Sequence, residues 1–296
     1  MRALSPAPAP APRRPLGPAR SGLPAPTGPL CREQNPYAPG EERSLPRARR
    51  PYRHRMNQIE IIELKPRLHL FRFPVGQAYL WRDGDELTLV DAGPPGAGAV
   101  IAEAIEGLGL RTRDVRRVVT THFHSDHVGG AGEFAAVTGA TVFAHHLDAP
   151  MVRGEVPGPA PVLEDWEVPL FTETSKSVPK PTEQRVYAAE PQEVTDGDVL
   201  PFGGGAHVVG APGHTRGSIA LHLPEHGVLF TGDAIANAPE TGVLLGVFNQ
   251  DAGQAVASFH RLVALESDMA CFGHGDPVLA DASAVLRAAA ARYATA

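Results

Sequence analysis

The sequence predicts an α+β fold in which two β-sheets are flanked by helices within one domain. Short segments rich in β-branched and aromatic residues recur from Ile59 onward, with helical segments between them. The composition is 43% hydrophobic and 20% charged, which is typical of a globular chain that buries a core.

The first half of this domain is predicted to alternate strands with helices. Residues 83–85, Asp-Gly-Asp, have the composition of a tight turn, and Gly-Pro-Pro-Gly at residues 93–96 ends the strand before it. From the spacing of apolar residues we expect strands at residues 68–73, 78–82, 87–90, 115–121 and 141–144, and helices at residues 97–108 and 127–137.

The second half contains further strands and two amphipathic helices. Strands are expected at residues 206–209, 218–223, 228–231 and 269–272, and helices at residues 250–265 and 280–292. The proline-rich residues 147–195 show no clear period, which is typical of a functional insertion or a lid. We expect this segment and a loop at residues 238–250 to select the substrate, with Trp166, Phe171, Tyr187 and Phe248 as candidate pocket residues.

The N-terminal segment differs in composition from the rest of the chain. Residues 1–50 contain 12 prolines and no apolar period, so they cannot bury enough surface to offset the entropy lost on ordering. We therefore predict a disordered Pro/Arg-rich tail at residues 1–55 and a folded domain at residues 56–296. An alternative is that translation starts at Met56 and that the upstream residues are an extension of the gene model.

Charge and cysteine content exclude several function classes. Residues 56–296 carry 16 basic and 30 acidic residues, and such an acidic body disfavours a nucleic-acid partner. No stretch of 18 apolar residues occurs, so no membrane span is expected, and two cysteines do not form a disulfide framework. We expect a cytoplasmic protein that acts on a small molecule; its oligomeric state is not predicted.

A cluster of metal-ligand residues follows the strand predicted at residues 115–121. Residues 121–127 read Thr-His-Phe-His-Ser-Asp-His. Because alternate residues at a strand end point the same way, His122 and His124 can direct their imidazoles at one metal ion. Asp126 and His127, at the start of the next helix, can bind a second ion. Nitrogen and carboxylate ligands without thiolate suit zinc, and they can also hold iron, manganese or cobalt.

Three further ligand-type residues follow predicted strands and have glycine beside them. They are His214, Asp233 and His274, each just beyond the carboxyl end of a strand, where sites collect in folds of this kind. Asp91 also follows a strand. It is expected to accept a hydrogen bond from a ligating histidine and so to fix the tautomer of that histidine.

These residues and their order along the chain resemble the metallo-β-lactamase-fold superfamily of hydrolases. The segment His122-x-His124-x-Asp126-His127 is similar to the motif that defines the superfamily, and the likeness extends over residues 59–292. The resemblance implies a four-layer αββα sandwich with two zinc ions at one edge. It also implies that Asp233 bridges the ions, with the first held by His122, His124 and His214 and the second by Asp126, His127 and His274.

The resemblance implies hydrolysis of a thioester, a lactone or another carboxylic ester by a hydroxide that bridges the metals. Asp126 is then expected to orient this hydroxide and to pass its proton to the leaving group. Asp233 stands where common β-lactamases have cysteine, which favours glyoxalase II-like and lactonase-like members of the stand-alone bacterial type. Two alternatives stay open: a β-lactam hydrolase, and an oxidoreductase similar to the mononuclear-iron persulfide dioxygenases.

Overall fold

Two β-sheets face each other across an apolar layer. The computed structural model describes residues 53–56, 59–177 and 190–293. In the strand at Gln77–Asp83, Ala78 and Leu80 pack on one side of the sheet, whereas Tyr79 and Trp81 pack on the other. Buried side chains on both faces show that this sheet is covered on both sides.

The larger sheet contains eight strands that lie side by side in sequence order. Adjacent strands from the first to the fifth are antiparallel, and adjacent strands from the fifth to the eighth are parallel. They are β1 (Arg53–Met56), β2 (Ile59–Lys65), β3 (Leu68–Arg72), β4 (Gln77–Asp83), β5 (Glu86–Val90), β6 (Val115–Val119), β7 (Thr141–His145) and β8 (Gln192–Val194).

The second sheet has five strands, and a separate hairpin follows β12 along the chain. Its strands are β9 (Val199–Leu200), β10 (Ala206–Gly210), β11 (Ile219–Leu223), β12 (Val228–Phe230) and β15 (Met269–Cys271), while the hairpin is formed by β13 (Ile235–Ala238) and β14 (Gly242–Leu245). β12 and β15 are parallel, and the order across the sheet is β15, β12, β11, β10, β9.

Helices cover the outer faces of both sheets. The helices are α1 (Ala97–Gly107), α2 (Ser125–Val128), α3 (Ala131–Thr138), α4 (Ala149–Val152), α5 (Glu167–Ser177), α6 (Ala252–Val263) and α7 (Ala282–Ala290). Ile101 of α1 and Phe134 of α3 belong to the apolar cluster on the larger sheet. Phe259 of α6 and Leu286 of α7 belong to the cluster on the smaller sheet. The layers therefore run α, β, β, α, as the sequence predicts.

Strand direction brings the ends of several strands to one edge. β5, β6 and β7 are parallel neighbours, so their carboxyl ends lie together. In the second sheet β10 and β12 are both antiparallel to β11, and β15 is parallel to β12, so these three also end at a common edge. The loops that follow these strands carry the ligand-type residues found in the sequence.

Most predicted elements are present, and the differences have local causes. The helix expected at residues 127–137 is divided into α2 and α3 at Gly129-Gly130, where a side chain would collide with the chain near Ala92 and Pro95. The segment 147–195 contains α4, α5 and β8, and the loop expected at residues 238–250 includes β14.

Several sequence predictions concern residues that the structure does not describe. The predicted tail lies outside the described residues up to residue 52, and so does Tyr187. β1 begins at Arg53, three residues before the predicted start of the domain at Met56. Within residues 53–56, 59–177 and 190–293, no helix has the length and apolar character needed to cross a membrane.

Candidate metal centre

Three histidines from two loops form a first cluster, which consists of His122, His124 and His214. The first two follow β6 at alternate positions, and His214 follows β10. His214 Nε2 lies 2.9 Å from His124 Nδ1. One ring nitrogen from each of the three lies within 4.8 Å of the other two, so the three rings converge on a common point.

A second cluster lies beside the first and consists of Asp126, His127 and His274. Asp126 and His127 are in α2, and His274 is in the loop after β15. His274 Nε2 lies 3.2 Å from Asp126 Oδ2 and 3.3 Å from His127 Nε2. Each residue again offers one ligand atom within 4.8 Å of the others.

Asp233, in the turn after β12, lies between the two clusters. Its Oδ2 atom is 3.5 Å from His214 Nε2 in the first cluster and 3.3 Å from His274 Nε2 in the second. Its Oδ1 atom is 3.3 Å from His127 Nε2. The carboxylate therefore faces both clusters, which is the arrangement that a bridging ligand requires.

Asp91, at the end of β5, is buried and accepts hydrogen bonds from the segment that follows β6. Its Oδ2 lies 2.9 Å from His127 Nδ1, and its two oxygens accept hydrogen bonds from the backbone N–H and hydroxyl of Thr121. An ionised Asp91 needs a proton on His127 Nδ1, which leaves Nε2 free to face the second cluster. In the first cluster a backbone carbonyl has the same effect on His214. Val247 O accepts a hydrogen bond from His214 Nδ1 at 3.0 Å, which leaves His214 Nε2 free.

Burial keeps the first cluster neutral. Burial lowers the pKa values of His122, His124 and His214, and neighbouring histidines add to this for the first two. The pKa of His124 falls to about 3. A neutral imidazole is the form that binds a metal ion, so the first cluster is prepared for coordination without loss of a proton.

Two carboxylates favour positive charge in the second cluster. Burial lowers the pKa of His274, but the carboxylates of Asp233 and Asp126 outweigh it and raise that pKa to about 10. The pKa values of both aspartates fall below their usual range despite burial, mainly because of His127. The carboxylates that stabilise a positive charge here would also favour the binding of a metal cation.

The donor set fits a pair of divalent cations. His122 Nε2 is buried and has no hydrogen-bond partner among the described residues, which is costly unless a ligand meets it. Gly273 lines the space, and a Cβ at this position would collide with Asp233 Oδ1 and the His127 ring. None of the candidate ligand groups in the described residues contains cysteine. Imidazole and carboxylate donors in two adjoining groups match the preferences of zinc and related ions.

Several supporting residues were not identified from the sequence. Gln77 Nε2 donates to the carbonyls of Phe272 and Gly275, and Tyr79 Oη donates to the carbonyl of Phe272. Side chains of β4 therefore fix the position of the loop that carries His274. A polar residue in an apolar strand was the available signal for Gln77. Asp148 follows β7, and the strand-end pattern that led to the ligands also applies to it.

The segment that includes α5 lies against the loop beside His214. Glu167, which is buried, accepts a hydrogen bond from the backbone N–H of Phe248 at 2.8 Å. The rings of Phe248 and Phe171 meet edge to face with centroids 5.1 Å apart. Trp166 is 41% exposed. Three of the four aromatic residues expected to line a pocket are thus described, and two of them are in contact.

Comparison with known proteins bears on the family of this chain. A family model described as the metallo-beta-lactamase superfamily matches residues 72–274, which include both clusters and Asp233. The chain is 28% identical over 203 residues to the Bacillus subtilis protein named "Probable metallo-hydrolase YflN", covering 64% of this chain and 75% of that protein. It is 31% identical over 191 residues to a hydroxyacylglutathione hydrolase of Cereibacter sphaeroides, covering 64% of this chain and 57% of that enzyme.

A solved structure supports the same assignment. The metallo-beta-lactamase family protein TTHA1429 from Thermus thermophilus superposes with a TM-score of 0.55 at 27% identity, covering 77% of this chain and 78% of that chain. The family model, the fold and the grouped histidines and aspartates agree with one another. The chain therefore belongs to the metallo-beta-lactamase superfamily, and it is a metal-dependent hydrolase of that superfamily.

Proposed function

We propose that the chain is a dinuclear metal hydrolase that cleaves the thioester, lactone or other carboxylic ester of a small molecule. The observation that carries this proposal is the carboxylate of Asp233, whose Oδ2 lies within 3.5 Å of a histidine nitrogen from each cluster. The first cluster would hold one ion and the second cluster the other, with Asp233 available to both.

Zinc is the metal that the donor set supports best. The two clusters and Asp233 offer imidazole and carboxylate donors alone, which zinc accepts readily and which iron or manganese can also use. Cys271 lies in the apolar layer between the sheets, where burial raises the pKa of its thiol. It is therefore not a thiolate ligand, and metal analysis of the purified protein decides among these ions.

Two ions bound here would supply an ionised water near neutral pH and a Lewis acid for the substrate carbonyl. The side chains position the reactants and move the proton. Asp126 remains ionised because its pKa lies below the usual range, so its carboxylate can accept a hydrogen bond from the attacking water. We assign Asp126 to the orientation of this water and to proton transfer towards the leaving group. Asp91 keeps His127 in the tautomer that leaves Nε2 available.

The choice of a thioester rests on the kind of relative that the chain matches. A hydroxyacylglutathione hydrolase acts on an acyl group bonded to the glutathione sulfur, and the chain is 31% identical to one over 191 residues. The match spans 57% of that enzyme, so we carry over the type of bond and not the glutathione group. The complete second cluster disfavours a site with a single iron ion.

A substrate panel tests this function. The zinc-loaded chain would be assayed with an S-acyl thioester, a lactone, a β-lactam and a phosphodiester, before and after treatment with a chelator. We expect hydrolysis of the thioester or lactone that is lost with the chelator and returns with zinc. Full hydrolysis after chelation would contradict the proposal.

The same panel distinguishes the alternatives. Preference for the β-lactam would establish the lactamase alternative, and oxygen uptake with a persulfide by an iron-loaded chain would establish the dioxygenase alternative. His214→Ala should abolish activity, whereas His207→Ala should not, because His207 is exposed on β10 outside both clusters.

A further inference from the structure

Asp148, which lies between β7 and α4, is a carboxylate outside both clusters that is only 1% exposed. We propose that Asp148 is a positioning residue that fixes the first cluster by joining the two loops that carry its histidines. This inference rests on the ligand roles proposed above. It predicts that loss of the Asp148 carboxylate weakens metal binding by the first cluster and not by the second.

Both oxygens of Asp148 accept hydrogen bonds, and the donors belong to the two ligand loops. Oδ2 accepts from the backbone N–H of Phe123 at 3.0 Å, and Phe123 lies between His122 and His124. The same oxygen accepts from Thr215 Oγ1 at 2.7 Å, next to His214. The two separate loops that carry the three proposed ligands are therefore joined through one buried side chain.

The His214 loop is bound to Asp148 at a second point. Oδ1 of Asp148 accepts from the backbone N–H of Gly217 at 2.8 Å. A Cβ at Gly217 would collide with the Asp148 carboxylate, so the close approach needs glycine. Because the Thr215 hydroxyl donates its one proton to Asp148, the hydroxyl of Ser218, 2.8 Å away, must donate to Thr215 Oγ1. A connected network of this kind restricts the loop to one geometry.

The second cluster is held by other groups. Asp91 accepts from His127, and Gln77 donates to the carbonyls on either side of the His274 loop. The donors to Asp148 are Phe123, Thr215 and Gly217, which all lie in the loops of the first cluster. Loss of the Asp148 carboxylate should therefore disturb the geometry of the first cluster. The geometry of the second cluster should not change.

The test measures zinc affinity in variants that retain one cluster each. His274→Ala impairs the second cluster and leaves the first, whereas His214→Ala does the reverse. Asp148→Asn is added to each background, and zinc binding by the metal-free chain is measured by competition with a chromophoric chelator. Groups that orient metal ligands typically contribute about 10- to 100-fold in affinity, so we expect a loss of that size in the His274→Ala background. In the His214→Ala background the affinity should not change.

Controls separate this role from a general structural one. Asp83→Asn removes a carboxylate that accepts from the backbone N–H of Gly203, away from both clusters, and should leave both affinities unchanged. If Asp148→Asn does not fold, Thr215→Val removes one of the three hydrogen bonds and should weaken zinc binding in the same background to a smaller extent. Urea unfolding of the metal-free variants identifies a loss of folding.

Two results would overturn the proposal. One is zinc affinity that is unchanged by Asp148→Asn in the His274→Ala background. The other is an equal loss of affinity in both backgrounds. If His214→Ala and His274→Ala each still bound two zinc ions tightly, the ligand assignment itself would be wrong, and this result is distinct from a failure of the Asp148 proposal.

Discussion

A side chain that follows a strand end has its backbone fixed by the sheet, while its functional atoms extend beyond the sheet edge. His122, Asp233 and His274 all occupy such positions, after β6, β12 and β15. Their ring or carboxylate atoms are therefore placed with little freedom, and little ordering entropy remains to be lost when a cation binds. His122 Nε2 is buried and has no hydrogen-bond partner among the described residues, so a ligand at this nitrogen would remove an energetic cost.

Gly273 sets the space available between the clusters. A methyl group here would collide with Asp233 Oδ1 and with the His127 ring. We predict that Gly273→Ala lowers zinc affinity by at least about 10-fold, because the ligands it displaces include the proposed bridging carboxylate. Competition with a chelator measures this effect. Gly253→Ala, in the first turn of α6, is the matched control, and equal zinc affinity in both variants would contradict the prediction.

Asp148 should make stability depend on pH. Burial raises its pKa to about 6, outweighing the hydrogen bonds that it accepts, so the folded chain keeps this proton at a pH where the unfolded chain has lost it. The stability that this group contributes is fully present below the unfolded pKa near 3.8 and is lost as the pH rises through about 6. A shift of this size corresponds to about 3 kcal/mol at most.

Urea unfolding of the metal-free chain between pH 4 and pH 7 measures this dependence. The free energy of unfolding should fall with rising pH more steeply for the wild type than for Asp148→Asn, which cannot ionise. Parallel curves for the two proteins would show that Asp148 keeps its ordinary pKa.

Much of the site could be predicted at the level of residues because its motif is local. Three histidines and an aspartate within residues 122–127 form a dense pattern, and glycine beside His214 and His274 marks turns after strands. Asp148 and Gln77 were not identified, because a lone carboxylate after a strand and a polar residue in an apolar strand are weak signals, and their partners are mainly backbone groups of distant loops. Hydrogen bonds between such segments are determined by the tertiary structure and leave no pattern in the sequence.

At the scale of elements, the loops around the site are tied to one another by buried carboxylates. Glu167 at the start of α5 accepts from Glu164 N with one oxygen and from Phe248 N with the other. Phe248 has a positive φ of 60°, a strained conformation for a residue of this size. The carbonyl of the preceding residue, Val247, accepts from His214. Glu167 therefore connects α5 to the loop that supports a proposed ligand.

Glu167→Gln should alter substrate binding more than metal binding. The glutamine amide would place an N–H group against one of two backbone N–H donors, which weakens the contact between α5 and Phe248. We predict a severalfold rise in KM for a thioester with two zinc ions still bound. Glu173→Gln is the control, because Glu173 is exposed on the same helix and pairs with Lys176. An unchanged KM would show that α5 does not contribute to substrate binding.

Prediction at the scale of elements succeeded where short, mainly apolar runs follow turn residues. β10, β11 and β12 are of this kind, with glycine one or two residues before each, so their predicted bounds agree within a few residues. The α2–α3 break was missed because helical periodicity continues through Gly129 and Gly130. β14 was missed because the hairpin lies in a segment whose side chains pack on α6 and α7, contacts that arise only in the folded chain.

At the scale of the whole molecule, the candidate metal centre lies where strand ends from both sheets meet. The first sheet supplies His122, His124 and α2, and the second supplies His214, Asp233 and His274. The apolar layer between the sheets holds these edges together through residues such as Phe230 and Tyr79, whose rings are 5.4 Å apart. Stability of this layer and geometry of the site are therefore coupled.

The tail should be dispensable for this assembly. A chain that begins at Pro51 keeps β1, and the site residues all lie beyond it. We predict that this shortened chain binds zinc and hydrolyses the thioester as the full chain does, because the proline-rich sequence of residues 1–50 is not expected to form a core. Zinc stoichiometry and kcat/KM of the two chains test this. A large loss of either would assign the tail a role in the fold or the site.

The most direct test of the two-metal account is a titration of zinc into the metal-free full-length chain, with bound zinc and thioester or lactone hydrolysis followed together. If both clusters and Asp233 form one dinuclear centre, two equivalents of zinc bind and full activity requires the second. In a His274→Ala variant, one tightly bound equivalent and little activity are expected. Full activity at a single equivalent, or hydrolysis by the metal-free chain, would contradict the account.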